Sequence, residues 1–201
     1  MSYLTVEDTF QFMNKLPNGN LLEFGIFSGN TMNRLIKGAE SVGKPFEKVY
    51  GFDSFIGLPE ETKGVWQNPE WPKGAFNVCF DFDLKSVEHG MEFVRSRVER
   101  QDINLIPGFF SESLVREIGE PLRDSCSYLH IDVDIHASTV QVLDFIFNYS
   151  ILKYGALVRY DDWASTPEYQ GGNSLAHMQA EIKYKIDWNR ISMNVFQFIG
   201  H

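Results

Sequence analysis

Short apolar runs alternate along this chain with longer stretches in which apolar residues recur at helical spacing. The runs are typical of buried strands, and the longer stretches are typical of helices with one apolar face. We predict strands over 21–26, 49–52, 103–106, 127–133 and 156–160, and helices over 6–16, 31–39, 83–101 and 138–153. One or two further strands are predicted within 191–199.

The alternation of strands and helices predicts an α/β fold. It gives right-handed βαβ crossovers and a mostly parallel sheet with helices on both faces. In such sheets ligands bind beyond the carboxyl ends of the strands. Acidic and glycine-rich signals follow the predicted strands here, namely Gly25 to Gly29, Asp53, Gly108, Asp132, Asp134, Asp161 and Asp162. We therefore expect a ligand site at that edge of the sheet.

Composition narrows the possible functions. The chain has 201 residues, 43% of them hydrophobic, and we expect one domain over 1–201 with a well-buried core. The formal charge of -9 disfavours nucleic acid as a partner, because phosphate backbones would be repelled. No run approaches the roughly 18 apolar residues of a membrane-spanning helix. Residues 1–20 lack a signal-peptide pattern, so no membrane partner and a cytoplasmic location are expected.

A glycine loop follows the first predicted strand. Gly25 and Gly29 would let the backbone pass close to a ligand, and Asn30 or Thr31 can cap the next helix. The loop lacks the third glycine of a dinucleotide site. After the second strand, Asp53 is placed to accept both ribose hydroxyls of an adenosine, or instead to cap the turn that follows.

The segment from Gly51 to Glu60 (GFDSFIGLPE) is very similar to a motif of the macrocin and mycinamicin O-methyltransferases. The resemblance continues through 74–76, 108–110, 131–134 with 138–139, and 161–163, and fades after Trp163. It implies a Rossmann-like class I methyltransferase fold with a seven-stranded sheet, S-adenosylmethionine as cofactor, Mg²⁺, and methyl transfer to a small-molecule hydroxyl, such as that of a sugar. The cofactor-binding residues expected from the glycine loop, the strand ends and this resemblance are Glu23, Gly25, Phe27, Gly29, Asn30, Thr31, Asp53, Ser54, Phe110 and Ser111.

Four carboxylates follow two neighbouring strands of the predicted sheet: Asp132, Asp134, Asp161 and Asp162. Converging without a counterion, they would repel one another and raise their own pKa values. Oxygen ligands of this kind suit Mg²⁺ or Ca²⁺. The alternative is a set of solvated turn aspartates. The resemblance implies that Asp132, Asp161 and Asp162 hold Mg²⁺, which would bind the acceptor hydroxyl.

The sequence does not single out one residue as the general base. In the related catechol-type enzymes a lysine stands three residues after the first metal aspartate, but Ile135 stands there in this chain. Asp134 and His136 are the local candidates, and together with Asp132 they are the predicted catalytic residues. His136 can instead cap the following helix, and Asp134 can serve as its N-terminal charge.

Two loops are predicted near the acceptor, and one helix is a candidate for contact between two subunits. Residues 57–74, with Trp66 and Trp71, predict a lid over the site, and residues 165–174 predict a polar loop that touches the acceptor. Exposed aromatic residues of the first helix, Phe10 and Phe12, could pair two subunits. A nicotinamide-dependent oxidoreductase and a non-catalytic ligand-binding protein remain the alternative functions.

Overall fold

The computed structural model of this chain describes residues 1–163 and 172–200. Its centre is a seven-stranded sheet in the order β3-β2-β1-β4-β5-β7-β6. The strands are β1 (Asn20–Phe24), β2 (Val49–Asp53), β3 (Ile103–Pro107), β4 (Cys126–Ile131), β5 (Leu152–Tyr160), β6 (Asp187–Arg190) and β7 (Val195–Gly200). Strand β7 runs antiparallel to both of its neighbours, whereas the pairings among β1 to β5 are parallel. The predicted fold class is confirmed.

Helices cover both faces of the sheet. They are α1 (Phe10–Met13), α2 (Asn30–Ser41), α3 (Val78–Asp81), α4 (Val87–Arg97), α5 (Phe110–Ser113), α6 (Arg116–Gly119), α7 (His136–Asn148) and α8 (Gly172–Tyr184), with short 3₁₀ turns at Glu7–Thr9 and Glu120–Leu122. One apolar cluster joins α7 and α8 to the sheet, and a second joins α1, α2 and α4 to the opposite face. No helix among the described residues is long and apolar enough to cross a membrane.

The central strands are buried on both faces, which explains their nearly continuous apolar runs. Every residue of β1 and β4 is buried. Successive side chains along β1 lie on opposite faces of the sheet. Leu22 packs in the apolar cluster with α7, and Leu21 packs in the cluster with α2. Glu23, between hydrophobic neighbours, is an exception that bears on the site described below.

Four local predictions were wrong. Helix α2 begins at Asn30, and its N-cap is Gly29 in the left-handed conformation, so neither Asn30 nor Thr31 caps it. His136 is the first residue of α7 rather than its cap. The ring of Phe10 is half-buried over Gly38, where an added Cβ would lie 2.3 Å from it, and Phe12 is also half-buried. These aromatic rings are therefore partly packed within the subunit rather than exposed, and the pairing of two subunits through them stays a prediction.

The C-terminal third departs most from the sequence prediction. Residues 172–174 of the predicted polar loop lie in helix α8, and residues 165–171 of that loop lie outside the described residues. The predicted strand region 191–199 corresponds to β7, which starts at Val195, while β6 lies earlier in the chain.

Candidate active site

A cavity of about 410 Å³ opens at the carboxyl ends of the parallel strands. It lies where the strand order reverses between β1 and β4, which is the usual ligand position in such sheets. Its lining comes from the ends of five strands or the loops that follow them: Gly25, Phe27, Asp53, Ser54, Gly57, Leu58, Pro59, Trp71, Phe76, Gly108, Phe109, Phe110, Asp132, Val133, Asp134, Ser138, Asp161 and Asp162.

The glycine loop after β1 passes directly against the end of β4. Gly25 has φ of 79°, and a Cβ added to it would lie 1.7 Å from the carbonyl oxygen of Asp132. No other residue type fits at such a contact. The requirement for glycine at position 25 therefore comes from this close backbone approach, which brings the glycine loop beside the acidic residues.

Asp53 at the end of β2 holds that loop in place. Its Oδ2 accepts hydrogen bonds of 2.8 Å from the backbone N–H groups of Ile26 and of Phe27, and its Oδ1 accepts one of 2.7 Å from Phe55. Burial raises the pKa of Asp53, and the three backbone hydrogen bonds oppose that rise. The turn-capping role is thus present in the structure, and the same carboxylate also lines the cavity.

The other residues predicted to bind the cofactor divide into two groups. Gly25, Phe27, Ser54 and Phe110 line the cavity with Asp53, whereas Gly29, Asn30, Thr31 and Ser111 are absent from its lining. The side chain of Asn30 accepts a hydrogen bond of 2.8 Å from Arg97 on α4 instead. Phe110 packs edge to face on Phe24, with ring centroids 5.7 Å apart, so it serves the core and the cavity together.

The acidic residues converge at the edge of this cavity. Carboxylate oxygens of Asp132, Asp134 and Asp162 lie within 4.8 Å of one another, close enough to share a metal ion. Asp161 belongs to a second group of that kind, with His130 and Asp132. Its Oδ1 accepts a hydrogen bond of 2.8 Å from Arg159, which is 3% exposed. All four predicted carboxylates therefore meet, with Asp161 facing a cation of the protein.

The electrostatics of the cluster favour an added cation. Burial first, and then the charge of Asp162, raises the pKa of Asp134 to about 8. Burial and Asp161 raise the pKa of Asp162 to about 6, and burial, Asp161 and Asp134 raise that of Asp132 well above its usual range. Asp134 also has φ of 59°, which is uncommon for a residue with a side chain, although Asp adopts it more readily than most. Carboxylates so arranged fit a hard divalent ion such as Mg²⁺.

A buried polar row underlies the cluster. Glu23, His130 and Arg159 are register neighbours across β1, β4 and β5. Both carboxylate oxygens of Glu23 lack a hydrogen-bond partner among the described residues. Burial, followed by the charges of Asp161 and Asp53, raises the pKa of Glu23 well above its usual range. Burial and Arg159 lower the pKa of His130 to about 3. Glu23 therefore lies beneath the cavity rather than in its lining.

His136 is turned away from the reacting edge. Its Nε2 lies 2.8 Å from Oε1 of Gln179 on α8, and the residue is 7% exposed and lines neither cavity. Of the two candidates for the general base, Asp134 alone faces the cavity. The predicted role of His136 as a catalytic base finds no support in this geometry, because its ring is engaged inside the fold.

A second cavity, of about 260 Å³, adjoins the first at the acidic cluster. Three of the acidic residues and Trp71 line both cavities. The rest of its lining is largely aromatic or amide in character: Tyr3, Glu61, Trp66, Gln67, Asn68, Ile135, Trp163 and Gly172. Both tryptophans of the predicted lid loop are therefore at the site.

Several residues near the site were not predicted from the sequence. Tyr3 reaches the second cavity because Asn194 clamps its neighbour Leu4, accepting from the Leu4 N–H at 2.9 Å and donating to the Leu4 carbonyl at 3.1 Å. Asn173 of α8 donates a hydrogen bond of 2.8 Å to the carbonyl of Asp162. The Asn194–Leu4 contacts join residues 190 apart in the chain, and the Asn173–Asp162 contact joins residues 11 apart, so no local spacing pattern indicates either of them.

Comparisons with known proteins identify one family. The family model of macrocin O-methyltransferase (TylF) matches residues 7–193. No match was found among curated proteins.

Similar solved structures show the same fold. The O-methyltransferase NovP is 19% identical, with a TM-score of 0.60 over 97% of this chain and 78% of that one. The calicheamicin methyltransferase CalS11 is 22% identical, with a TM-score of 0.66 over 96% and 76%. An apo structure of CalS11, described as a TDP-rhamnose 3'-O-methyltransferase, is 19% identical, with a TM-score of 0.57 over 96% and 77%. Because the family model covers most of the sequence, the chain belongs to the macrocin O-methyltransferase family.

Proposed function

We propose that this protein transfers a methyl group from S-adenosylmethionine to a hydroxyl of a small molecule, with the assistance of Mg²⁺. The observation that carries the proposal is the meeting of two cavities at one acidic cluster. A donor and an acceptor bound in the two cavities would have their reacting atoms close together, which is a major source of rate in transfer reactions. Family membership supports methyl transfer over the oxidoreductase alternative.

The larger cavity is our proposed cofactor site. Gly25 and Phe27 of the glycine loop line it where we expect the amino-acid part of the cofactor, and Phe110 offers an aromatic surface for adenine. Asp53 retains lone pairs beyond its three backbone hydrogen bonds, so it can hold the loop and accept a ribose hydroxyl. The carboxylates near the cavity favour a cofactor whose sulfonium is positive.

The acidic cluster is our proposed Mg²⁺ site. Asp132 and Asp162 belong both to the set predicted from sequence and to the group that the geometry brings together. Asp161 is the third residue of the predicted set, and Asp134 is the third residue of the group found in the structure. Both line the larger cavity. Bound there, Mg²⁺ would act as a Lewis acid that lowers the pKa of the acceptor hydroxyl and orients its oxygen.

Asp134 is our proposed proton acceptor. It lines both cavities, so it borders the proposed donor site and the proposed acceptor site. As the bond from sulfur to the methyl carbon breaks and the new oxygen–carbon bond forms, the hydroxyl proton passes to this carboxylate.

The second cavity is our proposed acceptor site, and its lining suits a sugar. Trp71 and Trp163 offer flat apolar faces for a sugar ring, and Gln67 and Asn68 offer amide donors and acceptors for its hydroxyls. One similar structure is described as a TDP-rhamnose methyltransferase. We therefore expect a glycosylated or nucleotide-linked sugar as the methyl acceptor.

Isothermal titration tests the cofactor proposal. We expect S-adenosylmethionine and S-adenosylhomocysteine to bind with one site per chain and Kd values in the micromolar range, and NAD⁺ to give no heat. Absence of binding by both sulfur compounds at millimolar concentration would contradict the proposal. Binding of NAD⁺ alone would favour the oxidoreductase alternative.

A further inference from the structure

A side chain from the predicted lid loop caps a helix on the other side of the site. Glu61 lies in residues 57–74, which we call the lid loop. Its Oε2 accepts a hydrogen bond of 2.7 Å from the N–H of His136, and its Oε1 accepts one of 2.8 Å from the N–H of Ala137. These partners are the first two residues of α7, and Asp134 stands just before them.

The start of α7 needs such a partner. The first N–H groups of a helix have no acceptor within it, and a negative charge placed there is stabilised by the helix dipole. The N-cap residue is Ile135, whose side chain cannot accept a hydrogen bond. Glu61 supplies the missing acceptor with both carboxylate oxygens, and hydrogen bonds to a charged group are stronger than neutral ones.

The lid loop is closed at its base as well. Leu58 donates from its N–H to the carbonyl of Ala75 and accepts at its carbonyl from the N–H of Gly74, both at 2.9 Å. Gly57 and Gly74 have φ values of 91° and 83°, which favour glycine at the two ends of the loop. Between these ends the loop carries Glu61 and the tryptophans to the acidic cluster.

We propose that Glu61 is a positioning residue that latches the lid loop to α7 and so holds Trp71 against both cavities and Trp66 against the second. In relation to catalysis this rests on the proposed function, but the latch is a property of the protein alone. Breaking the two hydrogen bonds lets the loop swing on its glycine ends and opens the cavities. The latch thus links the roof of the site to the segment that carries Asp134.

Native-state proteolysis tests the latch without a ligand. Lys63 and Lys73 are exposed in the lid loop, and Lys37 is exposed in helix α2 as a reference. We expect Glu61→Ala to raise the rate of tryptic cleavage after Lys63 and Lys73, relative to that after Lys37, by about tenfold. Glu61→Gln, which keeps one acceptor oxygen, should give a smaller rise.

A matched control separates the latch from a loss of stability. Glu60 is exposed next to Glu61, so Glu60→Ala should cleave like the wild type. If Glu61→Ala accelerated cleavage at all three lysines in the same proportion, the residue would stabilise the whole fold and the latch would be refuted. An unchanged pattern in Glu61→Ala would refute it as well.

Release of S-adenosylhomocysteine gives a second readout. By stopped-flow fluorescence, we expect the dissociation rate to rise about tenfold in Glu61→Ala and to stay unchanged in Glu60→Ala. Equal rates in Glu61→Ala and wild type would refute the latch as a gate. If the wild type failed to bind this compound, the proposed function would fail, and the proteolysis experiment would still decide the latch.

Discussion

Arg159 donates a hydrogen bond of 2.8 Å from its guanidinium to Oδ1 of Asp161 at the carboxyl end of the sheet. The arginine is 3% exposed, and its Nε donates a hydrogen bond of 3.3 Å to the carbonyl of Leu4. This ion pair places a fixed positive charge below a cluster of carboxylates. It offsets part of their repulsion and fixes the orientation of Asp161.

A double-mutant cycle on this pair measures that effect. Arg159→Met should lower the free energy of unfolding by about 3 kcal/mol, because it leaves partly buried carboxylates without their cation. Asp161→Asn should cost less, and the double variant should cost less than the sum of the two single changes. Urea denaturation of the four proteins gives the values. Strict additivity would show that the two side chains do not depend on each other.

Asp53 should stabilise the protein even when no ligand is bound. Asp53→Ala leaves three buried N–H groups without their acceptor, so we expect the free energy of unfolding to fall by about 3 kcal/mol. Asp53→Asn, which keeps one acceptor oxygen, should lose about half as much. Urea denaturation without ligand checks this. Wild-type stability in Asp53→Ala, with cofactor binding lost, would mean that the carboxylate serves the ligand alone.

The parallel sheet was predictable because its central strands are buried on both faces and therefore have nearly continuous apolar sequences. Helix α8 was not predicted from the sequence, because its apolar residues do not coincide with the face that is buried. Its buried residues are mostly small or polar, including Asn173, His177 and Ala180, whereas Ile182 is 80% exposed. A hydrophobic period cannot reveal a helix of this kind.

The site was predictable only where its residues follow strands. The carboxyl ends of parallel strands meet at one edge, so Asp53 and the four acidic residues had to lie near one another. The contacts of Glu61 and Arg159 depend on how loops and strands pack. The spacing of residues along the sequence does not predict these contacts. The spacing also did not indicate that His136, in the first turn of α7, would direct its ring toward α8.

His177 should make the folded protein sensitive to acid. Burial, and then the charge of Arg190, lowers the pKa of His177 to about 3 from the ordinary 6.5. As pH falls below 6.5 the unfolded chain binds a proton that the folded chain does not, so this residue's contribution to stability is lost progressively toward pH 3. Between pH 7.5 and pH 5 that loss is about 2 kcal/mol.

The variant His177→Phe isolates this contribution. It removes the hydrogen bond of 2.9 Å between Tyr160 and His177 Nδ1, so it should be less stable than wild type at pH 7.5. Its stability relative to wild type should then improve by about 2 kcal/mol at pH 5, since other titrating groups are shared. Guanidinium denaturation at the two pH values gives the comparison. A constant difference between the two proteins would contradict the expectation.

Asp162 should be needed for metal binding. We expect Asp162→Asn to weaken Mn²⁺ binding, measured by electron paramagnetic resonance, at least about tenfold, because a charged oxygen ligand is replaced by a neutral amide. The exposed residue Asp187 provides the control, and Asp187→Asn should bind like the wild type. Equal Mn²⁺ affinity in the two variants would exclude Asp162 as a ligand.

A crystal structure with S-adenosylhomocysteine and Mn²⁺ tests the central claim most directly. We expect adenine beside Phe110, the ribose at Asp53, and an anomalous peak at about 2.2 Å from carboxylate oxygens of Asp132 and Asp162. The sulfur should face that peak across the larger cavity. A ligand bound elsewhere, or an acidic cluster without anomalous density at saturating Mn²⁺, would contradict the account.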